Sequence, residues 1–184
     1  ATRVGDTVYW LASHGRNLNG KWRPSRHQFF ATRLVKQPDG KWDLQPVGQA
    51  YNRLAARLVQ DPQFASLELR TALGDWWNAD EDLAPKEAGL SIEGLAASAD
   101  GQQLWIGFRN PLPGGKALLV PLMNAQQVIA EGADPKFGPA VQLLLHVRWK
   151  GKESELAVRS IEFHPQLGDY LIVAGRPSSQ RVFA

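Results

Sequence analysis

Short runs of alternating apolar and polar residues, broken by Gly, Pro and Asp, fill most of the chain and predict β-strands. Gly5-Asp6 turns into Thr7-Val8-Tyr9-Trp10-Leu11-Ala12-Ser13, a β-branched and aromatic strand. His14 to Ser25 is polar and holds Gly and Pro, so it predicts a long loop. Strands are expected at Gln28–Val35 and Trp42–Val47, joined by the hairpin turn Pro38-Asp39-Gly40. The period then changes. Ala50, Leu54, Leu58 and Val59 recur at helical spacing, which predicts an amphipathic helix over Gln49–Val59. Asp61-Pro62 forms a helix start, with a capping carboxylate followed by Pro at the first helical position. Phe64, Leu67, Leu73, Trp76 and Trp77 extend a second helix. This helical pair, about 49–78, is an insertion in a strand-rich chain. Further strands are expected at Leu90–Ala97, Gln103–Phe108, Lys116–Leu122, Val141–Val147, Val158–Phe163 and Tyr170–Ala174. Val182-Phe183-Ala184 starts another.

Strand units recur. Ile92-Glu93-Gly94 leads through Asp100-Gly101 to Leu104-Trp105-Ile106-Gly107-Phe108-Arg109. Ile161-Glu162-Phe163 leads through Gly168-Asp169 to Leu171-Ile172-Val173-Ala174-Gly175-Arg176. Gly5-Asp6 leads to Tyr9-Trp10-Leu11-Ala12, with Arg16 beyond, and lacks the Ile-Glu strand before it. Four-stranded propeller blades repeat in this way. The expected fold is therefore all-β: a partial β-propeller of two to three four-stranded blades, with the helical insertion packed outside. Residues 1–184 form a single propeller-like fragment.

Composition narrows the function. The 184 residues are 43% apolar and 21% charged, with 17 Gly and 12 Pro, an ordinary globular balance. No apolar run approaches the ~20 residues of a spanning helix, so no membrane partner is expected. The absence of Cys excludes disulfides, thiolate metal sites and a Cys nucleophile. A net charge of +3 is too small for obligate nucleic-acid binding, and no specific nucleic acid is expected. Its distribution is uneven. No acid lies between Asp6 and Asp39, where His14, Arg16, Lys21, Arg23, Arg26, His27, Arg33 and Lys36 fall. Asp75, Asp80, Glu81, Asp82 and Glu87 cluster later. Such a basic field attracts phosphate or carboxylate; the competing reading pairs these arginines with the acidic cluster.

Four strings carry a resemblance. They are Tyr9-Trp10-Leu11-Ala12-Ser13-His14-Gly15-Arg16-Asn17, Ser91-Ile92-Glu93-Gly94-Leu95-Ala96, Gly107-Phe108-Arg109-Asn110-Pro111-Leu112 and Arg159-Ser160-Ile161-Glu162-Phe163-His164-Pro165. In order, from about Gly5 to Gly175, they resemble a bacterial family catalogued as a domain of unknown function (thirty-six sixteen in that series). The resemblance implies a β-propeller in the style of the esterase-like phytases. It also implies an interior fragment, because in the family an Ile-Glu-Gly motif precedes the equivalent of Ala1 and strands follow the equivalent of Ala184. The family has no established activity, so fold and motifs transfer, not a reaction.

The candidate ligand-binding residues are Glu93, Glu162, Arg109, Arg159, His14 and Arg16. A carboxylate on an inner propeller strand faces the channel and is costly unless paired or bound to a metal. Arg109 and Arg159 are the partners expected for Glu93 and Glu162, since guanidinium pairs bidentately with carboxylate or phosphate. The competing reading is a Glu–Arg ring that locks neighbouring blades. His14-Gly15-Arg16-Asn17 falls on a loop at the channel mouth, where His14 suits general-base chemistry near pH 7. His164 precedes Pro165 in a turn and suits a turn-stabilising role. His27 and His146 carry no assigned function. No phosphate loop, zinc-protease motif or nucleophile elbow is present. Trp10 and Trp105 fall in repeated strands and suit the core; Trp22 and Trp42 are less committed.

The expected function is a scaffold that binds an anionic small molecule or partner protein at the channel mouth. The alternative is a metal-dependent phosphoester hydrolase. No cofactor is expected under the first reading; Ca²⁺ or Mg²⁺ belongs to the second. Open blade edges predict self-association, or association with the rest of a longer parent chain. The chain is expected to be soluble, with the compartment left open between cytoplasm, periplasm and exterior.

Overall fold

The computed structural model describes residues 1–85, 88–149 and 151–177. It is mostly β, with four antiparallel sheets, none of them closed. The first sheet is a meander of β1 (Thr2–Val4), β2 (Thr7–Leu11), β3 (Phe29–Lys36) and β4 (Trp42–Tyr51). The second is a meander of β5 (Ser91–Ala97), β6 (Leu104–Asn110), β7 (Ala117–Leu122) and β8 (Val141–Leu143). Two hairpins follow, β9 (His146–Trp149) with β10 (Lys152–Glu155), and β11 (Ala157–His164) with β12 (Asp169–Gly175). The helices are α1 (Leu54–Gln60), α2 (Leu69–Leu73) and α3 (Ala125–Glu131). None of them is long and apolar enough to cross a membrane.

The second sheet sits at the centre. Leu118, Val120 and Leu122 of β7 join a core shared with the first sheet and all three helices. Ala117 and Leu119, on the opposite face, pack with Val158 and Ile161 of β11. Both faces are covered, which is why Ala117–Leu122 is a continuous apolar run rather than an alternating one. β11 reaches this sheet because two glycines face it. A Cβ on Gly107 would come within 2.6 Å of Val158 Cγ1, and one on Gly94 within 3.0 Å. We predict that Gly107→Ala destabilises the fold by about 1–3 kcal/mol through overpacking, and that Val158→Ala in the same chain recovers part of it. Additive losses in urea unfolding would show that the two positions do not meet as described.

Several expectations need correction. The helix expected from Gln49 starts later. Gln49 to Tyr51 stays in β4, with Tyr51 paired to Phe29, and α1 begins at Leu54. Gly48, at φ +58°, lets β4 lie against α3; a Cβ there would meet the Ile129 carbonyl at 2.0 Å. The second helix is a short 3-10 turn, Pro62–Phe64, followed by α2. Asp61 does cap that turn, accepting from the Gln63 N–H at 3.1 Å. The helices are not packed outside: Leu54, Leu58 and Leu69 belong to the main core. Trp76 and Trp77 lie beyond α2 in an exposed turn.

The first repeat has its first strand, since β1 pairs with β2. Val141–Val147 is not one strand; β8 and β9 belong to different sheets. Trp10 and Trp105 are half-buried rather than core. The strand expected at Val182-Phe183-Ala184 lies outside the described residues.

Candidate functional site

Glu93, Arg109 and Arg159 converge. Arg109 Nη1 donates to Glu93 Oε1 at 2.9 Å, and Arg159 Nε pairs with Glu93 Oε2. The guanidinium side chains are nearly buried, at 5% and 10% exposure, against 26% for the carboxylate. Arg109 also donates to the Pro177 carbonyl from Nε at 2.8 Å, and Arg159 to the Arg176 carbonyl at 3.2 Å. The cluster therefore ties β5 and β6 of the central sheet to β11 and to the chain after β12.

Three register shifts build it, the first of which pairs Ser91 with Asn110 and Ile92 with Phe108 and leaves Arg109 extra in β6. In β5, Ile92 pairs with Phe108 and Gly94 with Gly107, leaving Glu93 as the extra residue. In β11, Val158 pairs with Ala174 and Ser160 with Val173, leaving Arg159 extra. A bulge re-aims the side chain it carries. The bulges at Glu93 and Arg159 each stand five residues before the bonded pair that closes the hairpin, Ser98 with Gln103 and His164 with Asp169. The structural counterpart of Glu93 is thus Arg159. Glu162, matched to Glu93 by the Ile-Glu string, lies three residues nearer the turn. It is exposed and makes no ion pair among the described residues.

Glu162 and Glu93 nevertheless line one cavity of about 730 Å³, bounded by β1, β5 and β11. Its wall includes Arg3, Asp100, Ser160 and Phe163. The Arg3 guanidinium is exposed and is held by the Gly5 carbonyl at 2.6 Å and Asp6 at 3.3 Å. Hydrogen bonds from Ser98 and the Gln102 N–H hold the Asp100 carboxyl below its usual range.

His14 and Arg16 form a different network. Arg16 is 3% exposed, and its donors go to the carbonyls of Gly20, Leu73, Asp75 and Asn78. The basic loop thus docks on the backbone of the acidic segment, not on its carboxylates. His14 is fully buried at φ +51°, and its Nδ1 lies 2.8 Å from the Ala12 carbonyl. A carbonyl only accepts, so Nδ1 carries the hydrogen and Nε2 is left a bare lone pair without a partner. His27, also buried, stands edge-on to His14 at 5.6 Å and stacks on Trp22 at 3.3 Å. No hydrogen bond or ion pair among the described residues joins His14 or Arg16 to Glu93.

Burial pushes His14 down to about 4, against the opposing bond to Ala12. Burial, then the charges of His14, Arg26 and Arg16, pushes His27 down to about 3. Both imidazoles are therefore neutral near pH 7 and only weakly basic. Both make stability pH-dependent. Below about 6.5, the ordinary histidine value, the unfolded chain takes up protons that the native state refuses. Stability is therefore full above that pH and falls as pH drops toward about 4 and about 3. Urea unfolding from pH 7 to 4.5 is expected to show this loss, with His27→Phe flattening it. A flat profile in the wild-type chain would contradict the burial of the neutral pair.

His164 suits its expected turn role: its carbonyl accepts from the Leu167 and Gly168 N–H groups. Among the described residues, no three His, Asp or Glu side chains are grouped to hold a metal ion. Sequence reasoning missed the cavity wall supplied by Arg3 and the buried His27, which lies just before β3 at the end of the turn Pro24–Arg26 and stacks on Trp22. No family model, no curated protein and no solved structure matches the chain.

Proposed function

We propose that the chain is part of a β-propeller-like scaffold, of the kind the motif resemblance implies, that binds a small anionic molecule or an acidic partner segment at the mouth of its channel. One observation carries this reading: β5 packs against both β1 and β11, so the first strands of three successive units stand side by side around a shared cavity. Inner strands of neighbouring blades meet in this order around a propeller channel. Rigid β scaffolds bind ligands at such places.

The residues divide the work. Glu93, Arg109 and Arg159 act as the lock between units, because both guanidinium groups are committed to the Glu93 carboxylate. Arg3, exposed on the cavity wall though bridged to Asp6, is the guanidinium placed to meet an anionic group. Ser160 and Thr2 supply hydroxyls, and Leu95 and Phe163 supply apolar surface. For the phosphoester-hydrolase reading, no three His, Asp or Glu side chains among the described residues are grouped to hold a metal ion.

Inorganic phosphate is the probe. Titrated into the isotope-labelled chain, it is expected to shift the amide signals of Arg3, Ser98 to Gly101 and Ser160 to Phe163, with saturation. Arg3→Ala should abolish the shifts. Saturable shifts elsewhere, or none, would refute anion binding in this cavity.

A further inference from the structure

Three tryptophans form a surface that the cavity does not include. Trp76 and Trp77 are 56% and 63% exposed, with rings in contact at 5.7 Å and 79°. Trp22 meets Trp76 at 6.0 Å and 56°. A lone exposed aromatic such as Trp42 needs no explanation, whereas three contacting rings form a patch that does.

The patch is braced from behind. Arg16 donates to the carbonyls of Leu73, Asp75 and Asn78, which bracket the two exposed indoles in sequence. The Gly20 carbonyl accepts from Arg16 at 2.9 Å and from the Asp80 N–H at 3.1 Å, closing the other end of the turn. Trp22 is fixed by its parallel stack on buried His27. A buried guanidinium and a buried imidazole thus hold three indoles in set orientations. Rigid aromatic faces shown to solvent lose little conformational entropy when they bind.

The rim decides the ligand. The turn that carries Trp76 and Trp77 borders a hollow of about 690 Å³ lined by Arg16, Arg70, Thr71, Asp75, Asn78 and Asp80, among others, though by none of the indoles. Arg70 and Asp75 sit 4.0 Å apart, and Lys21 and Arg23 flank Trp22 in sequence. Donors and acceptors of both signs therefore flank the three tryptophans along the chain. The carboxylates of Asp75 and Asp80 oppose a polyanion such as single-stranded nucleic acid, and the cations oppose an organic ammonium. A neutral ligand with apolar faces and hydroxyls that both donate and accept suits this rim. We propose that Trp22, Trp76 and Trp77 form a stacking platform for a neutral oligosaccharide, whose pyranose faces lie on the indoles while the Asp75–Asp80 rim takes its hydroxyls.

The test uses cellohexaose, maltohexaose and chitohexaose, each titrated into the full chain with tryptophan fluorescence and calorimetry as readouts. At least one is expected to give a saturable change that high salt leaves intact. Trp76→Ala with Trp77→Ala should weaken it about tenfold or more, with the thermal melt unchanged because both rings are exposed. Trp42→Ala should leave it unaltered. The proposal is overturned if none of the three sugars binds. It is equally overturned if the double variant binds as well as the parent, or if an oligo-dT strand binds the platform more tightly than any of the sugars.

Discussion

Glu93→Ala is expected to destabilise the fold by about 3–5 kcal/mol, the range for removing one partner of a buried ion pair. The reason is what remains. Arg109 and Arg159 are nearly buried, and both lose the carboxylate that neutralises them. Among the described residues their carbonyl partners include Pro177 and Arg176, which accept hydrogen bonds but carry no charge. Two like charges would then face each other across the seam between β5 and β11. The melting temperature should drop on the order of ten degrees. Glu162→Ala is the control. It removes the other Ile-Glu carboxylate of the repeat, yet an exposed group without an ion pair should cost within about 0.5 kcal/mol. Equal losses for the two variants, read from urea unfolding, would mean that the Ile-Glu repeat and not the bulge register decides which carboxylate locks the sheets.

That contrast shows what was legible in the sequence. Alternation found β2 and β3, because Tyr9, Phe29 and Ala31 on one face of them lie in the core. Asp61-Pro62 found its turn, since a capping carboxylate and a proline at the first position act locally. The Ile-Glu string misled because a string has no register. Bulges at Glu93 and Arg159 shift the side chains that follow, and a bulge is fixed by what packs across the sheet. α3 carried a readable pattern in Ala125, Val128 and Ile129, but only over seven residues. β1 has three residues, too few for a period to show. Ala50 matched a helical spacing and lies on an edge strand, so the period extended one helix backward into β4. The pairing of Glu93 with Arg109 and Arg159 was expected from chemistry, since a carboxylate on an inner strand needs a cation, though the same was expected of Glu162. His14 and Arg16 were placed with them by sequence landmark, and the fold sends them to the loop behind the tryptophan turn.

Arg16→Met should cost about 3 kcal/mol, since hydrogen bonds to a charged donor each contribute about 1.5–3 kcal/mol net and four carbonyls share this guanidinium. An opposing effect reduces the sum. Arg16 is a buried cation whose hydrogen bonds among the described residues all go to neutral carbonyls, so its removal also relieves a desolvation cost. Methionine fills the volume of the stem, but the Leu73 carbonyl, bonded to Arg16 in a buried contact, loses that donor, while the Gly20 carbonyl keeps only the Asp80 N–H. The orphaned Leu73 carbonyl decides the sign, because an unsatisfied buried acceptor costs about 1–3 kcal/mol. The loss should also be local. Hydrogen exchange is expected to quicken at the N–H groups of Asn78 and Asp80, which are bonded to Asp75 and Gly20 within the turn Arg16 holds. Amides of β6 and β7 should keep their order of protection, lowered only by the global loss. Arg16→Lys should recover little, as one ammonium cannot reach four carbonyls spread between Gly20 and Asn78. A stability change below about 1 kcal/mol, with exchange at Asn78 and Asp80 unaltered, would show that the turn holds its shape without the guanidinium.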